Sequence, residues 1–186
     1  MKKLFALLLS LALARNCCAV LAETPAKTDL GSINMNGAFK LQCSLPENYD
    51  VNIISKDDEG LMAVVKTEDE TKPMMFLTIE FDEIYYDVKR MNDMTEEQLQ
   101  QIIDTFTNGG DEVTVSYRET SHGTKLMIVQ EAADSVDYIS IVSVYEGYMI
   151  EFDMLASETS EEGLSEAQIQ MCIEFLSDLD FIPEEA

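Results

Sequence analysis

The sequence predicts an α+β fold, a three-layer α/β/α sandwich around a mainly antiparallel sheet, and three observations predict it. Strand-like segments with period-two alternation come in groups rather than alternating with helices. Only two segments carry the apolar stripe of an amphipathic helix. Three central segments, Leu61 to Val65, Leu126 to Val129 and Ile139 to Val144, are apolar on both faces, so the sheet they build must be covered on both sides.

The chain opens with Lys2 and Lys3 ahead of an apolar run, Leu4 to Ala14, the pattern of a secretory signal and too short to span a bilayer. Val20-Leu21-Ala22 offers a cleavage site, with Glu23 as the new N-terminus. The rival is lipidation at Cys17 or Cys18, against which Arg15 and Asn16 stand where small residues are wanted. Residues 1–22 are therefore expected to be a signal peptide, 23–36 a flexible lead-in, 37–182 one globular domain and 183–186 an acidic tail. An exported, extracytoplasmic protein follows, lipid-anchored in the alternative, with no integral membrane segment once the signal is removed.

Phe39, Leu41, Cys43 and Leu45 alternate with Lys40, Gln42 and Ser44, a strand that Pro46 ends. Short strands around Val51 to Ser55 and Leu61 to Lys66 flank Lys56-Asp57-Asp58-Glu59-Gly60, whose composition suits a turn. A longer strand runs from Met74 to Asp82. Thr95 and Gln98 form a capping box for a helix with the stripe Leu99, Ile102, Ile103 and Phe106, stopped by Gly109-Gly110. Val113, Val115 and Tyr117 begin a strand that turns at Ser121-His122-Gly123 and returns from Lys125 to Gln130. Tyr138 to Tyr145 and Tyr148 to Met154 form a hairpin through Glu146-Gly147. A second helix starts near Leu164, burying Ile169, Cys172, Ile173 and Leu176, and Phe181 anchors the chain after it.

Taken together, Phe39-Lys40-Leu41-Gln42-Cys43-Ser44-Leu45-Pro46 with Tyr49 resembles the opening strand of the PsbP-like family, which tends to run into a proline followed closely by a tryptophan. Tyr49 stands here instead, in a chain with no tryptophan. Tyr148-Met149-Ile150-Glu151-Phe152, the final helix and Leu179-Asp180-Phe181 resemble the family's closing strand, helix and tail. The resemblance covers about residues 38–182. It implies an α/β/α sandwich serving as a non-enzymatic scaffold, and it supplies no shared catalytic residue.

The 186-residue chain carries 36 carboxylates against 12 Lys and Arg, a net charge of -24. Loss of residues 1–22 takes three of those cations and no acid, leaving nine against 36, or -27. Such a polyanion cannot displace phosphate counterions, so nucleic acid is excluded as a partner. An unidentified protein or small ligand is expected instead. Glu80 and Asp82 on one predicted strand, and Glu151 and Asp153 on another, would converge if those strands pair, and like charges so placed call for a hard cation such as calcium. No other cofactor is indicated. Asp57-Asp58-Glu59-Gly60 lacks the alternating acids of a calcium loop.

No nucleotide, zinc-protease or serine-hydrolase motif occurs, and the single histidine, His122, lies at a predicted turn tip. Tyr85-Tyr86 beside Asp82, Glu83 and Asp87 could serve as a sugar platform, the least favoured reading being a small hydrolase. Cys43 and Cys172 are the two cysteines left after export. Either they form a disulfide, which would stabilise the fold by about 4 to 5 kcal/mol, or they are two buried thiols. The function expected is a non-catalytic binding or interaction domain, the alternative a calcium-linked one.

Overall fold

The computed structural model describes residues 27–33, 39–45, 47–57, 60–69, 72–107, 112–131, 138–156 and 163–183. The expected signal peptide with Cys17 and Cys18, its expected cleavage site, Pro46, Asp58, Glu59, the expected Gly109-Gly110 stop and the residues beyond 183 lie outside them. Ten strands are present: β1 (Lys27–Ile33), β2 (Phe39–Ser44), β3 (Asp50–Lys56), β4 (Gly60–Lys66), β5 (Met74–Phe81), β6 (Val113–Glu119), β7 (Lys125–Glu131), β8 (Tyr138–Tyr145), β9 (Tyr148–Leu155) and β10 (Asp180–Pro183). The helices are α1 (Glu96–Thr107) and α2 (Glu166–Phe175), with 3-10 turns at Glu83–Tyr85, Met91–Asp93 and Leu176–Asp178.

Seven strands form one antiparallel sheet in the order β3-β4-β5-β9-β8-β7-β6, and β1-β2-β10 form a second. Alternation decides which side chains face which way. Leu61, Ala63, Val65, Met75, Leu77, Ile79, Ile139, Ile141, Ile150 and Phe152 point to one face and pack with Phe175 and Leu176 at the end of α2. Met127, Val129, Val142 and Val144 point to the other and pack with Ile102 of α1 and with Tyr85, Met91 and Met94. The fold is thus α+β with the large sheet between two layers.

The layer on the α2 side is a helix and a sheet together, a feature the sequence does not announce. A helix of 10 residues is about 15 Å long, against about 30 Å for seven strands side by side. The small sheet fills the difference, sending Phe39, Leu41, Cys43 and Phe181 into the same core. Strand β2 reads as predicted, with Phe39, Leu41 and Cys43 buried and their neighbours half-buried. Lys27–Ile33, expected to belong to a flexible lead-in, is instead a strand paired with β2, from Lys27 opposite Ser44 to Ile33 opposite Phe39. Backbone hydrogen bonding to β2 makes it a strand, and this leaves no alternation of apolar residues in the sequence.

Both helices begin with reciprocal caps. The Thr95 amide donates to Gln98 Oε1 at 3.0 Å and the Gln98 amide to Thr95 Oγ1 at 3.3 Å. Ser165 and Gln168 repeat the arrangement at α2, at 2.8 and 3.3 Å. The β8–β9 hairpin turns through Glu146 and Gly147, both with positive φ (50° and 83°), and a Cβ on Gly147 would meet the Phe81 ring at 3.0 Å. At the far end of the chain the Ser44 amide and hydroxyl both donate to the Asp178 carboxylate, at 3.1 and 2.5 Å, tying β2 to the turn after α2.

Candidate functional site

The two layers cover the large sheet unequally. The apolar cluster around α1 draws on β6, β7, β8 and one residue of β9, Met149, but on nothing from β3, β4 or β5. On that open half the side chains facing the α1 side include Met62, Thr78 and Glu80 from β4 and β5, with Met62 40% exposed. A groove of about 370 Å³ lies there, lined by Ser55, Asp57, Gly60, Met62, Thr78 and Glu80 among others. Gly60 lets the strands close beneath it, since a Cβ there would sit 2.3 Å from the Ile79 carbonyl oxygen. Asp57 shapes its rim by accepting from the Gly60 amide at 3.0 Å.

Strand β9 continues the acidic line. Thr78 of the groove lies directly opposite Glu151, and Phe76 opposite Asp153. On the other flank Asp153 faces Ser140 and Glu151 faces Val142. Glu80 sits opposite Met149 and thus diagonal to Glu151. The pairing that brings these carboxylates together is the one on which the sequence argument depended. Asp82 does not join them: β5 ends at Phe81, and Asp82 caps the following turn by accepting from the Ile84 amide at 2.9 Å.

Electrostatics within the cluster is that of crowded acids. Burial, then the charge of Asp153, a hydrogen bond to Asp153 and the charge of Glu80 together push the Glu151 carboxyl up to about 7. Burial also raises Asp153, opposed by hydrogen bonds from Ser140 and Glu151. Glu151 and Asp153 are hydrogen-bonded to each other, and Asp153 Oδ1 accepts from the Ser140 hydroxyl. Among the described residues no salt bridge reaches Glu80, Glu151 or Asp153, and no group of three or more His, Cys, Asp or Glu could hold a metal ion.

No protein-family model matches this sequence, and no curated protein matches it either. Among solved structures, the chain is similar to the solution structure of cyanobacterial PsbP (CyanoP) from Synechocystis sp. PCC 6803. Identity is 15%, the match covers 88% of this chain and 96% of that one, and the TM-score is 0.48.

The remaining sequence candidates lie apart from the acidic face. His122, in the β6–β7 turn, places Nδ1 3.4 Å from Asp180 Oδ2 on β10, on the α2 side of the molecule. Tyr85 is buried among the residues around α1, while Tyr86 is exposed with its ring edge-on to Phe81, so the two do not form a common platform. Cys43 and Cys172 are both buried, with no disulfide between them in this structure. Cys172 Sγ lies 3.9 Å from Met75 Sδ, and its pKa is pushed up to about 12, first by burial and then by the charge of Asp153, which makes it a poor nucleophile.

Sequence reasoning missed Ser140, Ser55 and Thr78. Ser140 carried a signal, being a small polar residue inside the apolar run Tyr138 to Tyr145, where a buried hydroxyl demands a partner. Ser55 and Thr78 carried none, since hydroxyls in half-exposed strands are ordinary.

Proposed function

We propose that the chain is an exported, non-catalytic binding domain that receives a cationic partner on the open half of its large sheet. One observation carries this reading. The β5–β9 pairing aligns Glu80, Glu151 and Asp153 beside the groove, and no basic side chain neutralises them among the described residues. A face that crowds acids closely enough to raise the Glu151 carboxyl has unspent affinity for positive charge, whether ammonium or guanidinium. The separation of His122 from these acids supports a role without chemistry, since the acidic face then has no histidine base beside it.

The second reading, calcium, rests on the same three carboxylates. Oxygen donors alone suit that ion, although coordination would require the side chains to move closer together than they are now. One experiment separates the two. The protein, purified from an exporting host, is titrated with an oligolysine peptide and separately with calcium at matched ionic strength, following backbone NMR resonances and the thermal midpoint. Oligolysine is expected to shift Thr78, Glu80, Glu151 and Asp153, with the effect lost in Glu80→Gln/Glu151→Gln. A calcium-specific rise in midpoint lost in the same variant supports the second reading. Shifts spread evenly over the surface with both probes would end both.

A further inference from the structure

The two most exposed large apolar side chains among the described residues stand two positions apart, Ile84 at 61% and Tyr86 at 62% exposure. Both belong to the 3-10 turn that follows β5, in which the Tyr85 amide donates to the Asp82 carbonyl at 2.9 Å and the Val88 amide to the Tyr85 carbonyl at 2.8 Å. Side chains three apart in such a turn lie one above the other. Tyr85 and Val88 therefore share the inward side, and both are buried around α1. Glu83 and Tyr86 share one outward flank, Ile84 and Asp87 the other, and all four are exposed. Each flank thus pairs one large apolar group with one carboxylate.

We propose that this turn is the apolar anchor of the surface that receives a cationic partner, and that the partner is a protein segment in which arginine or lysine stands next to large apolar side chains. The inference deepens the reading above and rests on the partner being cationic. Charge complementarity selects the occupant. Residues 82–87 hold Asp82, Glu83 and Asp87 and no base, and among the described residues no salt bridge engages Glu83 or Asp87. Lys89 and Arg90 lie past the turn, where Arg90 bridges to Tyr145 and holds its guanidinium 6.0 Å from the centre of that ring. A tyrosine ring with a carboxylate one turn away can take a guanidinium on its face while the acid accepts from the N–H groups. A bare cation would leave Ile84 uncovered, and a neutral apolar partner would strip water from both acids without pairing them.

The turn is fixed before any partner arrives. Asp82 accepts from the Ile84 amide at 2.9 Å, while the Asp82 amide donates to the Gly147 carbonyl at 3.1 Å and the Gly147 amide to the Val88 carbonyl at 3.0 Å. Both ends of the turn are thereby stitched to the β8–β9 hairpin. The Tyr86 ring is held edge-on to Phe81, centroids 6.2 Å apart, and Phe81 also lines the groove. The anchors are therefore continuous with the groove, and a segment seated on the turn can run on into it. Side chains presented on an ordered turn lose little further freedom on docking, and tyrosine is among the residues that dominate such contacts.

Two amidated peptides of equal length and charge test this, one of arginine interspersed with leucine and one with serine in place of each leucine. Calorimetric titration into the full chain at matched, low ionic strength reads both affinities. The leucine peptide is expected to bind about 10-fold more tightly. Ile84→Ser/Tyr86→Ser should erase that advantage, with amide NMR spectra confirming that the variant folds. Glu83→Gln/Asp87→Asn should weaken both peptides by about 3-fold. Glu80→Gln/Glu151→Gln should weaken both and leave the advantage intact, because the acids beside the groove supply charge and not apolar contact. Equal affinity of the two peptides for the parent, or an advantage that survives Ile84→Ser/Tyr86→Ser in a folded protein, overturns this inference and leaves the cationic reading standing. Binding of neither peptide overturns both.

Discussion

The ring of Phe181 stacks on that of Tyr145, centroids 4.6 Å apart and planes 16° from parallel. Phe39 meets both rings edge-on, at 5.8 Å from Phe181 and 5.1 Å from Tyr145. Three aromatic side chains from β2, β8 and β10 thus fasten the small sheet to the large one. Phe181→Ala is expected to cost about 3 to 4 kcal/mol, the transfer of a buried aromatic plus the void it leaves. Urea unfolding reads this directly. A loss below about 0.5 kcal/mol, the scale of a surface substitution, would mean the small sheet is held by other contacts.

Stability should fall as pH rises through the range in which Glu151 stays protonated in the native state. Its folded pKa is raised to about 7 from an ordinary 4.5, so between those values the native state binds more protons than the unfolded one. The contribution is fully present below about pH 4.5 and lost by about pH 7, amounting to roughly 1 to 2 kcal/mol after discounting for the cluster's partial exposure. Glu151→Gln, in chelator, should flatten this part of the profile and stabilise the protein at pH 7.5 but not at pH 4.5. Parallel profiles for parent and variant would show that Glu151 is not the group responsible.

Gly60→Ala tests how tightly β4 and β5 close beneath the groove. The added Cβ would lie 2.3 Å from a main-chain oxygen, which no side-chain rotation relieves. A destabilisation of about 2 kcal/mol or more is expected, with NMR shift changes concentrated at Ile79 and Glu80. An unchanged denaturation midpoint would show that the strands part there at little cost.

Each helix cap can be removed separately. Thr95→Ala and Ser165→Ala should each cost about 1 kcal/mol, adding when combined because the helices lie on opposite faces of the sheet. Calorimetric midpoints check both the size and the additivity.

Legibility in the sequence followed the kind of force involved. Helix α1 could be read from Thr95, Gln98 and its apolar stripe because the cap and the buried face are both written in side chains. The alternation of Tyr148, Ile150, Phe152 and Met154 placed β9, and the structure buries all four. Strand β1 was illegible since its pairing with β2 is made by backbone. The alignment of Glu80, Glu151 and Asp153 was visible only conditionally, because parity puts residues on a face but says nothing of which strand lies alongside. Asp82 fell away for a local reason, the end of β5 one residue earlier. The groove depends on α1 covering less than the full width of the sheet, which no pattern within one segment reports.

The bond between Ser44 and Asp178 joins residues 134 positions apart, and the β2–β10 ladder beside it spans a similar interval. Ladders with such long loops form late and slowly, since most of the chain must be ordered before they reward closure. The small sheet therefore cannot assemble on a partly synthesised chain. This ordering of events works as a timer: the knot of Phe39, Tyr145 and Phe181 stays untied until β10 arrives.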